Sequence, residues 1–449
     1  MAARRWLGQF TLIAQRGRQF LGGAATLVGR RDDAAACHRL LRQRGEASSL
    51  VLAAEILAHI AGASAAETER FLTMLSTEFG PDPDAVALAA RSWLDTPSAE
   101  SLAALAKVVE PPRQELFRRL NMIPGGTSAL LELRADLLKL IRDRPDLAAV
   151  DADLKHLFAS WFNRGFLRLE EITWQTSADI LERLTGYEAV HEMRGWRDLR
   201  GRLASDRRCF AFFHPALPRE PLIFVEVALT HGLPSSIDPL IRIDREVLDP
   251  ANADTAIFYS ISNSQAGLRG ISFGSFLIKQ VMGQLTKDFP KIKTYATISP
   301  MRQFAAALRS TANPDGFTAE RMERLLGDAA GPVRRWLDSD QPAPESLDAA
   351  IVLLGLAYLT RVKSGVWAAD AVAHFHLSNG ARIERINARA DMGDHAADSF
   401  GLMVNYLYDA SNLEVNHEHY VERGQIAVAP ALNAALARVN AAWHSDSSG

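Results

Sequence analysis

Glycine, arginine and serine crowd into one stretch, QAGLRGISFGS (265–275), and two chemistries compete for it. Gly267, Gly270 and Gly274 would let an anion approach the main chain closely. A helix opening where the glycines end would aim free N–H groups and the positive end of its dipole at that anion. Such a turn suits a pyrophosphate; an ordinary strand-to-helix connection is the alternative that the glycines leave open. The second chemistry is nucleophilic. Gly270-Ile-Ser272-Phe-Gly274 matches G-x-S-x-G, whose serine must sit at the tip of a sharp turn directly after a buried strand. Here the apolar run from Thr255 ends near Ser262, the polar stretch Asn263–Gly270 intervenes, and no parallel βαβ series lies upstream. The hydrolase reading of Ser272 is therefore set aside in favour of phosphate binding.

The histidines offer a weaker pattern. His374 and His376 are spaced i, i+2, as are His417 and His419. On a strand each pair would share a face and could hold a metal, but neither has a companion cluster of Cys, His or Asp at ligand spacing, so no metal is expected. Taken alone, Ser299 before Pro300 reads as a turn or cap residue, His376 as a structural histidine, and Tyr408 as a core tyrosine with a bonded hydroxyl.

The elements that must position these groups fall into two textures. In 449 residues, 48% are hydrophobic, enough for two or three packed domains. The net charge of −3 argues against a nucleic-acid binder. Cys37 and Cys209 lie far apart without metal or redox spacing, as in a reducing compartment. No apolar run reaches the roughly 18 residues that a membrane span needs. Residues 1–31 carry six Arg and no Asp or Glu, with Trp6, Phe10 and Ile13 on one helical face. An organelle transit peptide looks like this, and so does the basic first helix of a bacterial cytosolic protein. The stretch holds no Ser, and the cytosol is favoured. The C-terminal residues are not a peroxisomal address.

Residues 32 to about 163 read as roughly six or seven helices, punctuated by Pro81, Pro83, Pro97, Pro111, Pro112, Pro124 and Pro145. Ser64 to Glu67 forms a capping box ahead of Phe71, Met74 and Leu75. The spacing predicts an all-α bundle over 1–163 with a scaffolding or self-association role. From 164 to 449 the pattern becomes mixed. Phe166–Ile172 alternates like a strand, helices follow over 177–186 and 190–203, and Cys209–Phe213 and Leu222–Leu229 read as neighbouring strands. A strand from Thr255 leads through the glycine turn to a helix whose Phe273, Leu277, Val281 and Leu285 share a face, and Thr294–Ile298 is a short strand ending at Ser299-Pro300. Further helices are expected over 301–309, 317–328, 331–338, 346–361, 367–375 and from Pro430 to Trp443. His376–Asn387 reads as a strand or hairpin with its turn at Asn379-Gly380, and Leu402–Tyr408 as a strand. The fold class is therefore α+β, a helical bundle followed by a mixed α/β domain. The strand and helix order of the second half is that of the GNAT acyl-CoA-binding fold, whose pyrophosphate turn lies between the fourth strand and the next helix.

Four segments, FYSISNSQAGLRGISFGSFLIK (258–279), TISPM (297–301), HFHLSNGARIERIN (374–387) and GLMVNYLYD (401–409), together resemble the malonyl-CoA decarboxylase family, in order and across most of residues 165–410. The resemblance implies a helical oligomerisation domain before a GNAT-like catalytic domain, conversion of malonyl-CoA to acetyl-CoA and CO2, and no metal or organic cofactor. It implies a homo-oligomer, expected here to be a tetramer, formed through the helical domain. The same resemblance implies that Ser299 is the catalytic serine, His376 the catalytic histidine and Tyr408 the tyrosine of the family's Asn-Tyr-x-Tyr segment. The acyl-CoA turn falls on Gly267 and on Arg269, Gly270, Ile271, Ser272, Phe273, Gly274 and Ser275. Some relatives, eukaryotic ones in particular, carry a glutamate where this chain has Ser272, so no role of that glutamate transfers. Arg382, Arg385 and Arg389 form a solvated face or reach the CoA phosphates.

Loss of CO2 from a malonyl thioester sends electrons into the thioester carbonyl, so the thioester is its own electron sink. Helpful groups would be donors aimed at the enolate oxygen, a grip on the carboxylate and a proton source for the new carbanion. In this reading Ser299 binds the carboxylate or accepts a proton, His376 delivers the proton because an ordinary histidine titrates near neutrality, and Tyr408 orients the malonyl group. An acyl-CoA N-acyltransferase, which needs an acceptor amine, and a non-catalytic acyl-CoA sensor are the competing classes.

Overall fold

A computed structural model describes residues 7–20, 32–188, 190–271, 276–310, 316–339, 341–393 and 396–444. The chain divides into two compact units. The first runs through Arg168 and also takes in Phe213–Leu222 and Asn263–Ser272; the second holds the remainder.

The first unit is built from helices α1 (Leu7–Phe20), α2 (Asp33–Arg42), α3 (Glu46–Gly62), α4 (Ala65–Glu78), α5 (Pro83–Asp95), α6 (Ala99–Val109), α7 (Pro112–Asn121), α8 (Gly126–Leu140) and α9 (Ala148–Trp161). Over 32–163 this makes eight helices, α2 to α9, rather than six or seven, because Pro83 and Pro112 each open a helix at a position that needs no N–H. The capping box forms as expected: the Glu67 carboxylate accepts the Ser64 N–H at 2.8 Å while the Glu67 N–H donates to Ser64 Oγ. Phe10, Leu40, Leu57, Leu72, Phe117 and Leu133 are fully buried in the core. Phe10 thus belongs to the packed interior. Arg113 Nε donates to Asp153 Oδ2 at 2.5 Å, pairing one of the unit's few buried charges.

The second unit is organised by an eight-stranded sheet. Its strands are β1 (Arg168–Ile172), β2 (Arg207–Phe213), β3 (Ile223–Thr230), β4 (Thr255–Asn263), β5 (Thr294–Thr297) and β6 (Ser299–Pro300), joined by β9 (Arg382–Asn387) and β10 (Met403–Leu407). A hairpin of β7 (Lys363–Ser364) and β8 (Trp367–Ala368) stands apart. The order is β1-β2-β3-β4-β5-β10-β6, with β9 also paired to β10. β4 and β5 are parallel, Phe258 facing Thr297, and the helix Phe276–Asp288 makes the crossover that a parallel pair requires. β10 then runs antiparallel to β5, β6 and β9, so the sheet is mixed and the α+β class holds. Pro300 lacks an N–H, and it sits on the terminal strand β6, where none is needed on the open side.

Two expectations are corrected. Residues 367–375 are not one helix: Trp367–Ala368 is β8, and the helix is Ala371–Ser378. His376–Asn387 is not a hairpin, for His376 lies in that helix and only Arg382–Asn387 is a strand. Asn379-Gly380 closes the helix instead, its N–H groups donating to the carbonyls of His376 and Leu377. Gly380 takes φ 84°, and a Cβ there would lie 2.1 Å from the carbonyl oxygen of Leu413. A positive-φ glycine after asparagine serves a helix C-terminus as readily as a two-residue hairpin, which is why the dipeptide misled.

Candidate active site

Thr297 and Ser299 alternate along the chain where β5 passes into β6, with Val404 opposite Ser299. Period-two geometry puts both hydroxyls on one side, and Ser299 Oγ donates to Thr297 Oγ1 at 2.9 Å. Thr297 Oγ1 also accepts the Tyr406 N–H at 3.2 Å, while Asn405 Nδ2 donates to the Thr297 carbonyl at 2.8 Å. His376 comes from the last turn of the helix Ala371–Ser378, whose N-cap Asp370 accepts the Ala373 N–H. The Tyr358 hydroxyl donates to the same Asp370 carboxylate. Tyr408 lies just beyond β10 and is fixed by its N–H, which donates to the Tyr295 carbonyl at 2.8 Å.

These elements bring three of the expected residues together. His376 Nε2 is 3.1 Å from Ser299 Oγ, and His376 Nδ1 is 2.7 Å from the Tyr408 hydroxyl. The imidazole is stacked on the Tyr406 ring, centroids 4.7 Å apart and planes at 25°. All are buried, Ser299 at 6%, His376 at 4% and Tyr408 at 2% exposure. Burial pushes the His376 pKa down to about 3 and the Tyr408 pKa well up, so both are neutral at pH 7. The argument that His376 titrates near neutrality is therefore corrected: in the free protein it is a neutral imidazole. Because Ser299 spends its proton on Thr297, its oxygen accepts from Nε2–H; Nδ1 is then the acceptor for the Tyr408 hydroxyl. The chain of donors runs from Tyr408 through His376 and Ser299 to Thr297. Tyr408 also lines a cavity of about 550 Å³ shared with Thr255, Lys293, Tyr295, Glu384 and Asp409.

Thr297 and Tyr406 were missed by sequence reasoning. Their signal was present in TISPM and in the Asn-Tyr-Leu-Tyr run, where alternation puts Thr297 with Ser299 and Tyr406 with Tyr408. His374 points elsewhere, its Nδ1 3.0 Å from the Tyr420 hydroxyl and its ring beside Trp367. On a helix, i and i+2 do not share a face, so the metal pairing considered for His374 and His376 has no geometric basis. His417 donates through Nδ1 to the Ser378 carbonyl at 2.5 Å. Among the described residues no group of three His, Cys, Asp or Glu is arranged to hold a metal.

The glycine turn is described as far as Ile271 within the first unit; Ser272, Phe273, Gly274 and Ser275, and with them the G-x-S-x-G motif, lie outside the described residues. Gly267 is buried, and a Cβ on it would stand 2.2 Å from the Leu131 carbonyl oxygen of α8. Its missing side chain admits a helix backbone. Arg134 of α8, 1% exposed, donates through Nη1 to the carbonyls of Gly267 at 2.5 Å and Arg269 at 3.0 Å. The N–H groups of Leu268, Arg269 and Ile271 are consumed in bonds at 2.9, 3.1 and 3.0 Å within the turn. The helix opening, where free N–H groups are expected, lies outside the described residues. Gly270 is exposed at φ 77°. The three arginines read as a solvated or phosphate-facing set are all engaged: Arg382 with Glu384 and Asp409, Arg385 with Asn405 and the Leu233 and Pro234 carbonyls, Arg389 with Asp348.

The protein is of the α+β class, and its mixed sheet carries a buried hydroxyl–imidazole–phenol chain whose groups are of the types used in acid–base chemistry. Residues 165–446 match the model of the malonyl-CoA decarboxylase C-terminal domain, and residues 79–162 that of the malonyl-CoA decarboxylase N-terminal domain. The chain is 43% identical to a malonyl-CoA decarboxylase of Rhodopseudomonas palustris whose crystal structure matches with a TM-score of 0.83, covering 96% of this chain and 98% of that one. A malonyl-CoA decarboxylase of Agrobacterium vitis is 44% identical with a TM-score of 0.79, over 90% of this chain and 99% of that one. The mitochondrial malonyl-CoA decarboxylase of Mus musculus is 31% identical over 433 residues, 88% of this chain and 87% of that protein. That of Anser anser anser is 34% identical over 342 residues, 69% of this chain and 66% of that protein. The chain belongs to the malonyl-CoA decarboxylase family.

Proposed function

We propose that the protein converts malonyl-CoA to acetyl-CoA and CO2 at Ser299, His376 and Tyr408. The observation that carries this reading is the buried chain in which His376 bridges Ser299 at 3.1 Å and Tyr408 at 2.7 Å. In the reaction the bond between the α-carbon and the carboxylate breaks, and its electron pair moves into the thioester carbonyl. The resulting enolate needs one proton on carbon. Neutral His376 carries that proton on Nε2 and gives it up as Nδ1 takes the Tyr408 proton and solvent reprotonates the Tyr408 oxygen in the same step, so neither an imidazolium nor a phenolate has to form in a site that disfavours both. Solvent in the cavity that Tyr408 lines supplies the one proton consumed per turnover, and passage of the Nδ1 proton back through Tyr408 to solvent as Nε2 is reprotonated resets the tautomer when product leaves. Ser299 turns its hydroxyl from Thr297 to the malonyl carboxylate and orients it. No added cofactor is called for by this chemistry, because the thioester accepts the electrons.

Incubation with malonyl-CoA alone tests the proposal: acetyl-CoA and CO2 are expected in equal amounts. Consumption only when an amine is added would favour acyl transfer, and binding without turnover an acyl-CoA sensor.

The acyl-CoA turn is assigned to Gly267 and to residues 269–275. The helical unit is assigned self-association, with a homotetramer as the expected state. Support comes from α5 and α6, which pack on each other yet contain no buried residue, with Leu88 70% and Leu94 68% exposed. No helix among the described residues is long and apolar enough to cross a membrane. Bacterial relatives over nearly the whole chain favour the cytoplasm, and the mitochondrial relatives make the organelle the alternative; fractionation of the source cells separates the two.

A further inference from the structure

The glycine turn is held by the helical unit, and that unit also brings a cation to it. Lys155, on the exposed side of α9, places Nζ 3.6 Å from where a Cβ on Gly270 would be. Four residues before it on the same helix, Asp151 would be the natural partner for Lys155. Asp151 is instead taken by Arg134, whose Nε donates to Oδ1 at 2.8 Å. The same Arg134 pulls the Gly267 and Arg269 carbonyls inward, so these acceptors are withdrawn from any anion outside. Neither Lys155 nor Arg269, both exposed, has a carboxylate partner among the described residues. The rim of the turn therefore carries two uncompensated positive charges around a residue without a side chain, with the nearby carboxylate neutralised from behind.

We propose that Lys155 of the helical unit binds the phosphate groups of the CoA substrate at Gly270, with Arg269 as the second cation. The ligand chemistry is a phosphoanhydride or phosphomonoester of at least two negative charges, which an ammonium matches as a compact charge and a guanidinium as a fork. This rests on the acyl-CoA reading of the turn. It adds that Lys155 is a phosphate-binding residue with no part in the chemical step.

The test compares the full-length protein with Lys155→Gln and Lys155→Arg. CoA affinity is measured by calorimetry, and turnover with malonyl-CoA and with S-malonyl-pantetheine, which lacks the phosphates beyond the pantetheine. In Lys155→Gln, Kd for CoA and KM for malonyl-CoA are expected to rise about tenfold with kcat within about twofold, Lys155→Arg restoring most of the loss. With S-malonyl-pantetheine the variant and the unaltered protein should have equal kcat/KM. An unchanged Kd in Lys155→Gln overturns the proposal, as does an equal loss on both substrates, which would mark a structural role. Lys155-dependent CoA binding in a protein that leaves malonyl-CoA intact would uphold the phosphate contact while removing the decarboxylase reading. No CoA binding by the unaltered protein would overturn the contact.

Discussion

His376 Nδ1 lies 2.7 Å from the hydroxyl of Tyr408, a residue 32 positions further along the chain, while the other ring nitrogen faces Ser299. One imidazole thus joins two hydroxyls that arrive on separate elements, and its tautomer is set by where the serine proton goes.

Replacement of Tyr408 by Phe keeps the ring and removes the proton source at Nδ1. Turnover should fall by about a hundredfold, within the range for loss of a positioned acid–base group, with KM for malonyl-CoA little changed. A variant with unaltered kcat would remove Tyr408 from the proton path.

The neutral state of His376 has consequences for pH. With its folded pKa near 3 and an unfolded value near 6.5, the imidazole should give no ring titration between pH 5 and 8 in the free protein, as read by NMR of ring-labelled histidine. The unfolded chain binds a proton below about pH 6.5 that the folded protein refuses. Stability from this group is therefore complete above that pH and lost as pH falls towards 3, at up to about 1.4 kcal/mol per pH unit. His376→Gln should flatten the acid side of the stability profile in denaturant titrations; an unchanged slope would show that the histidine protonates in place.

Thr297 is expected to matter beyond packing. Thr297→Val keeps the shape but deprives Ser299 Oγ and the Tyr406 N–H of their acceptor. Stability should drop by about 1–3 kcal/mol, the cost of a buried donor left unpaired. Turnover should fall several-fold, because the Ser299 proton then competes for His376. Equal melting temperature and kcat would argue that water replaces the hydroxyl.

Gly267 and Gly270 should respond differently to alanine. At Gly267 a methyl meets the Leu131 carbonyl at 2.2 Å, so the variant should lose about 2 kcal/mol or more through forced backbone movement. At Gly270 there is room, and the cost is that of a positive φ, about 1 kcal/mol, with the larger effect on CoA affinity because the methyl touches the Lys155 ammonium. Chemical denaturation and CoA titration of the two variants separate the packing role from the binding role.

The exposed α5–α6 pair predicts an interface. Leu88→Glu with Leu94→Glu should reduce the sedimenting mass while leaving the circular dichroism of the chain unchanged, since neither side chain supports the core. An unchanged assembly state would place self-association elsewhere.

Much of this was legible along the chain because it depends on neighbours in sequence. Prolines and the Ser64 capping box announced helix starts, alternation announced β1, and apolar and aromatic runs announced β2, β3 and β4. The four segments resembling the decarboxylase family pointed to Ser299, His376 and Tyr408. Local pattern failed where two backbone solutions share a signature: Asn379-Gly380 closes a helix here, and the period of HFHLSN could not exclude a strand. The face towards which His376 points, and so the absence of a metal pair with His374, followed from that one difference.

The sequence by itself determined the two textures of the chain, the strand–turn–helix unit around Gly270 and the residue types able to serve a thioester, since each follows from local spacing and composition. Only the tertiary structure decided that His376 is neutral, that its tautomer is set through Ser299 and Thr297, and that Gly267 is a glycine for the sake of Leu131. Those properties depend on burial and on partners distant in the chain. Desolvation and close approach are created by packing, and no local run of residues encodes how much water a side chain will lose.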